Sequence, residues 1–185
     1  MNIAKSLTPA ALATLLWLIP GAAAAQRDQV LIELRGFEEV PAVSSSAFGT
    51  FSAVIDSQTN TIDYELIYSG LTGEVRQGHI HFGQRSVNGG ISVFLCQTTQ
   101  NPDPTNRAPT CNPSPARIVG TLTSANIVGP SGQGIAANEM GELITAIRAQ
   151  IAYVNVHTTT YPGGEIRGQF DGRRVGRGGR PDLDE

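Results

Sequence analysis

From Val30 to Phe170 apolar and polar side chains alternate through most of the chain with a period of two. Val30, Ile32 and Leu34 are separated by Leu31, Glu33 and Arg35. On a strand successive side chains point to opposite sides, so this spacing predicts a strand with one buried face. The same reading predicts strands over 47–55 and 62–68. They are joined by Asp56-Ser57-Gln58-Thr59-Asn60, whose side chains bond their own backbone in tight turns, and the pair reads as a hairpin. Further strands are predicted at 78–83, at 91–96 behind an Asn88-Gly89-Gly90 turn, at 117–123, and finally at 151–157 and 165–170. One stretch departs from the pattern. Met140, Leu143, Ile144 and Ile147 recur at helical spacing, which predicts one short helix over 139–149 with Asn138 as its N-cap. Many short strands, regular turns and a single helix predict an all-β fold: an antiparallel Greek-key β-sandwich or barrel with one short α-helix.

The two ends read differently from this body. Lys5 precedes a compact apolar run, Ala10 to Ile19, followed by Pro20-Gly21 and alanines to Ala25, the layout of a cleavable signal peptide over 1–25. The run is well short of the roughly 20 residues that span a bilayer, and no later stretch is apolar enough to do so. Export to an oxidising compartment makes Cys96 and Cys111, the only two cysteines, an expected disulfide. Closing a loop of that length stabilises by about 3 kcal/mol in the chain-entropy account. Residues 171–185, rich in Arg and Gly, carry almost no apolar side chains and read as a disordered tail. The domain between, 26–170, shows no internal repeat. The formal net charge of −3 and the lack of a basic face exclude a nucleic-acid-binding footprint.

The chemistry concentrates on three histidines, all in predicted strands. His79 and His81 share one face of their strand while Ile80 and Phe82 take the other; in the 151–157 strand Tyr153, Asn155 and His157 oppose Val154 and Val156. With the aliphatic side chains in the core, the imidazoles would emerge on the wet side of the sheet. The last strand adds Glu165 and Arg167 to that polar surface, as an expected ion pair. Three nitrogen ligands suit copper or zinc, with a fourth position left open. The competing reading is structural, with the imidazoles bonded to loop carbonyls and to Glu165. No nucleophile-elbow sequence accompanies them, and Glu38-Glu39, adjacent in sequence, would point to opposite faces of a strand rather than form a glycosidase pair.

Several motifs together resemble the CHRD (chordin) domain family. They are Leu34-Arg35-Gly36-Phe37-Glu38-Glu39-Val40-Pro41, Gly49-Thr50-Phe51, Ile62-Asp63-Tyr64-Glu65-Leu66, Gly78-His79-Ile80-His81-Phe82-Gly83, Ala152 to Thr158, and Pro162-Gly163-Gly164-Glu165-Ile166-Arg167-Gly168-Gln169. The resemblance implies a stand-alone extracellular β-sandwich module, and the expectation is a secreted, periplasmic or cell-surface non-enzymatic binding protein whose partner is an unidentified extracellular or envelope component. The cysteine-rich modules of animal chordins are missing, so growth-factor antagonism is not carried over. The His-x-His strand also bears a fainter similarity to the copper-binding strand of Cu,Zn superoxide dismutases, although three histidines are too few for a paired copper–zinc centre. A metal-dependent redox enzyme and a purely adhesive surface protein are the alternatives to a binding module.

Overall fold

A computed structural model describes residues 27–172. The expected signal peptide, and all of the expected tail beyond Gly172, lie outside the described residues. Eight strands form: β1 (Arg27–Arg35), β2 (Phe48–Asp56), β3 (Thr61–Ser69), β4 (Val75–Phe82), β5 (Gly90–Cys96), β6 (Ala116–Leu122), β7 (Ala152–Thr158) and β8 (Ile166–Gln169). One helix, α1 (Met140–Arg148), separates β6 from β7. All eight strands belong to one antiparallel sheet in the order β5-β4-β7-β8-β1-β2-β3-β6. The all-β expectation holds, and of the two architectures it left open the sheet takes the nearly closed barrel.

Closure brings the terminal strands β5 and β6 toward each other. Val93 of β5 bridges Ile127 just beyond β6, and the Val128 N–H donates to the Ser92 carbonyl at 2.9 Å. From β3 the Tyr64 hydroxyl donates to the Leu95 carbonyl of β5 at 2.5 Å. A curled sheet has one inner face, and alternation fills it: Leu34, Phe51, Leu66, Ile80, Leu95, Val154, Val156 and Ile166 are all fully buried. Each such side chain contributes about 1.5–3 kcal/mol on leaving water. The helix adds Met140, Leu143, Ile144 and Ile147 to the same core, as its spacing predicts. Asn138 does not cap it. That residue sits at φ +70°, and the Glu139 carboxylate instead accepts the Ala136 N–H at 2.7 Å.

The expected disulfide is present, Cys96 to Cys111. Within the loop it closes, the buried Asp103 carboxylate accepts hydrogen bonds from the backbone N–H groups of Thr105, Arg107 and Ala108 and from the Thr105 hydroxyl. The loop therefore orders around a carboxylate instead of an apolar cluster. No described helix is long and apolar enough to cross a membrane.

Candidate metal centre

The pairing of β4 with β7 brings the three histidines together. His79 lies opposite Asn155, His81 opposite Tyr153, and Gln77 opposite His157. On the outer face of the barrel the ring centres of His79 and His157 are 4.9 Å apart, those of His79 and His81 5.2 Å, and those of His81 and His157 6.1 Å. One ring nitrogen from each lies within 4.8 Å of the other two. The face is not wet, however. His79 is 0% exposed, His81 7% and His157 6%. The expected solvent-facing surface is roofed by the segments 83–89 and 159–164, which connect strands across it. Alternation along a strand reports which side a residue takes, not what the loops lay over that side.

The roof is bonded to the histidines. A carbonyl can only accept, so His81 Nδ1–H donates to Gly89 O at 2.9 Å and His157 Nδ1–H donates to Pro162 O at 2.9 Å. In the neutral rings this leaves both Nε2 atoms as lone pairs. His79 Nδ1 lies 3.2 Å from His157 Nε2 and donates to it. The Asn155 Oδ1 sits 3.0 Å from the same Nε2, an approach of two acceptors that only a cation, or the amide turned end for end, would satisfy. His81 Nε2 and His79 Nε2 are buried with no partner. Phe94 packs edgewise on His79 at 4.4 Å, and Tyr153 stacks on His81 at 4.7 Å.

Burial keeps all three rings uncharged. Desolvation is the largest influence on each: it drives His79 well below the usual histidine range and His81 down to about 4, and lowers His157 as well. Repulsion from its two neighbours adds to the effect at His79, and the Arg76 guanidinium adds to it at His157. At neutral pH these are free bases, the form in which imidazole binds a metal.

Of the other polar residues expected here, Tyr153, Asn155 and Arg167 join the cluster, and Glu165 does not. Arg167 is fully buried with its guanidinium 3.4 Å over the Tyr153 ring, and donates to the carbonyls of Val87 at 3.0 Å and Gln84 at 3.3 Å. The expected Glu165–Arg167 ion pair is absent. Glu165 lies ahead of β8 rather than within it, and its carboxylate accepts from the Ser45 hydroxyl, the Thr72 N–H and hydroxyl, and the Thr158 hydroxyl, all at 2.8–2.9 Å. These donors hold its carboxyl below the usual range although burial pulls upward. It ties three segments together and touches none of the imidazoles.

Glu39 is the residue that the sequence reading passed over. It and Glu38 are not on a strand: a 3-10 turn over Gly36–Glu38 follows β1, bringing Val43 O so close that a Cβ on Gly36 would lie 2.4 Å from it. Glu38 stays exposed and pairs with Arg85. Glu39 turns inward, 5% exposed, with its Oε1 buried and unpartnered. A Cβ on Gly164, which sits at φ +128°, would lie 2.3 Å from that oxygen and 2.8 Å from the Asn155 Nδ2. Burial pushes the Glu39 carboxyl up to about 7, against the pull of Arg167 and the Asn155 side chain.

Set against known protein families, residues 30–170 match the CHRD domain. The chain belongs to the CHRD domain family. That stretch holds every strand of the barrel except the first residues of β1, and every residue of the histidine cluster. No curated protein and no solved structure matches this CHRD domain, so the fainter likeness to Cu,Zn superoxide dismutases has no support from either.

Proposed function

We propose that this CHRD domain is an exported, non-enzymatic binding module and that a copper or zinc ion, held by His79, His81 and His157, is what its polar face binds. The observation that carries the reading is the convergence of three buried, uncharged imidazoles, two of them aimed by backbone carbonyls. Ligating histidines characteristically donate their second nitrogen to a carbonyl or carboxylate, which fixes the ring and raises its basicity. Two nitrogens bonded to zinc at 2.0–2.1 Å and tetrahedral angles lie about 3.3 Å apart; His79 Nδ1 and His157 Nε2 stand at 3.2 Å, a spacing that serves a metal once the His79 proton moves from Nδ1 to Nε2. Where separations approach 4.8 Å, a bound ion would draw the rings inward. Three protein ligands would leave one position for a small exchangeable ligand. Among the described residues no hydroxyl or thiol is hydrogen-bonded to an imidazole, so the arrangement of a nucleophile with its base has no support. Export is supported by the signal-like segment up to Ala25 and by the disulfide.

The test is calorimetric titration of metal-free protein with Zn(II) and Cu(II), beside the His81→Ala and His157→Ala variants. Binding with Kd below about 1 μM, lost in both variants, is expected. Weaker binding that the variants leave unchanged rejects the metal reading. Amino-terminal sequencing of the protein recovered outside the cytoplasm, expected to begin near Gln26, tests export.

A further inference from the structure

We infer that Glu39 is the counter-charge of the three-histidine centre, and that it sets the centre's preference for divalent over monovalent metal; this rests on the metal reading above. The three ligands are neutral, so the full charge of a bound ion would be carried into a buried site. The charged groups facing the cluster make this worse. Arg167, fully buried, bears on His81, and Arg76, which donates to Asn101 Oδ1 at 2.7 Å, bears on His157. Both are cations. Against them stands one inward-facing carboxyl. Glu165, the other buried carboxylate nearby, is engaged by four donors from Ser45, Thr72 and Thr158. Glu38 is exposed and paired with Arg85.

Glu39 has what a counter-ion needs. It reaches the cluster through Asn155, whose Oδ1 lies 3.0 Å from His157 Nε2 and whose Nδ2 faces the Glu39 carboxyl. One carboxyl oxygen is left without a hydrogen-bond partner, although buried polar atoms are nearly always paired. Among the described residues no donor is bonded to that oxygen, and the pull of Arg167 and of the Asn155 side chain on the carboxyl does not outweigh its burial. A cation on the far side of Asn155 would add to that pull, because the attraction acts through a poorly screened interior.

The inference separates charge from positioning by a scaling rule. Coulomb energy is proportional to the ion's charge, so the logarithm of the affinity lost on removing Glu39 should be half as large for Cu(I) as for Zn(II). Loss of an outer partner at a metal site costs about 10–100-fold in affinity, so Glu39→Gln should weaken Zn(II) by that factor and Cu(I) by only about 3–10-fold. Affinities are read by competition with a chromophoric chelator on the full chain, under reducing conditions for Cu(I), and thermal unfolding of the metal-free variant confirms that it folds. If Glu39→Gln does not fold, Glu39→Ala, which cannot crowd Gly164, takes its place. Equal losses for the two ions would make Glu39 a mere positioner of Asn155 and overturn the inference, as would no loss for either. Wild-type protein that binds neither ion would sink the metal reading and the inference with it, whereas wild-type binding with an insensitive Glu39 variant sinks the inference alone.

Discussion

Replacing Glu39 by Gln in the metal-free protein should change how stability depends on pH, by an amount that the structure sets. Burial raises the Glu39 carboxyl from 4.5 to about 7 in the folded state. Between those values the folded chain holds a proton that the unfolded chain has released, so stability falls as pH rises through the window. Below 4.5 both states are protonated and no penalty exists; above 7 it is complete. A shift of 2.5 between 4.5 and about 7 corresponds to about 3 kcal/mol at 1.36 kcal/mol per unit. His81 acts in the opposite sense. Its fall from 6.5 to about 4 makes the unfolded state the better proton acceptor, so stability is lost as pH drops from 6.5 toward 4. The two terms nearly cancel over their shared range in the wild type, and Glu39→Gln removes one of them. The variant's stability relative to wild type should therefore be greater at pH ~8 than at pH ~4.5 by about 3 kcal/mol. Any fixed cost of burying the amide drops out of that difference. Urea unfolding of both proteins at the two pH values measures it, and for a chain of this size the matching change in Tm is roughly 6–12 °C. A pH-dependent difference under about 1 kcal/mol would show that the Glu39 carboxyl is solvated, and the account of its burial would be wrong.

Three further outcomes are expected. Glu165→Ala removes an acceptor for four hydrogen bonds at a fully buried position. It should cost about 3 kcal/mol or more by urea unfolding near neutral pH; because the Glu165 carboxyl is lowered in the fold, wild-type stability from this residue is present above 4.5 and fades as pH falls below it. Reducing the Cys96–Cys111 bridge, which spans a sequence separation of 15, should lower stability by about 3 kcal/mol, and an unchanged Tm in reductant would contradict the loop-closure argument. Tyr64→Phe deletes the 2.5 Å bond from β3 to the Leu95 carbonyl and should cost about 1–2 kcal/mol, with faster amide exchange across the β5 end of the barrel; exchange confined to β3 would argue against this bond as a closure element.

Period-two alternation by itself determined much of this protein. It assigned Ile32, Leu34, Ile80, Val154, Val156 and Ile166 to the inside, and therefore His79, His81, Tyr153, Asn155, His157 and Arg167 to the outside, because on a strand parity is enough to choose a side. Helical spacing likewise identified the buried residues of α1, and the two cysteines identified each other. What parity cannot supply is which strands are neighbours. The pairing of β4 with β7, separated in sequence by β5, β6 and α1, is what puts His157 beside His79, and that choice is made by how the whole sheet curls to bury its inner face. Nor does parity tell what covers the outer face. The segments 83–89 and 159–164 turn a surface read as wet into a buried site, with the carbonyls of Gly89 and Pro162 delivered by backbone that has no side-chain signature. Glu165 stands one residue before its strand and Glu39 just after a 3-10 turn, where alternation has no authority; one became a structural tie, and the other a buried carboxyl beside the histidines. A side chain's face is a local property of the backbone, whereas its neighbours and its exposure to water belong to the closed barrel.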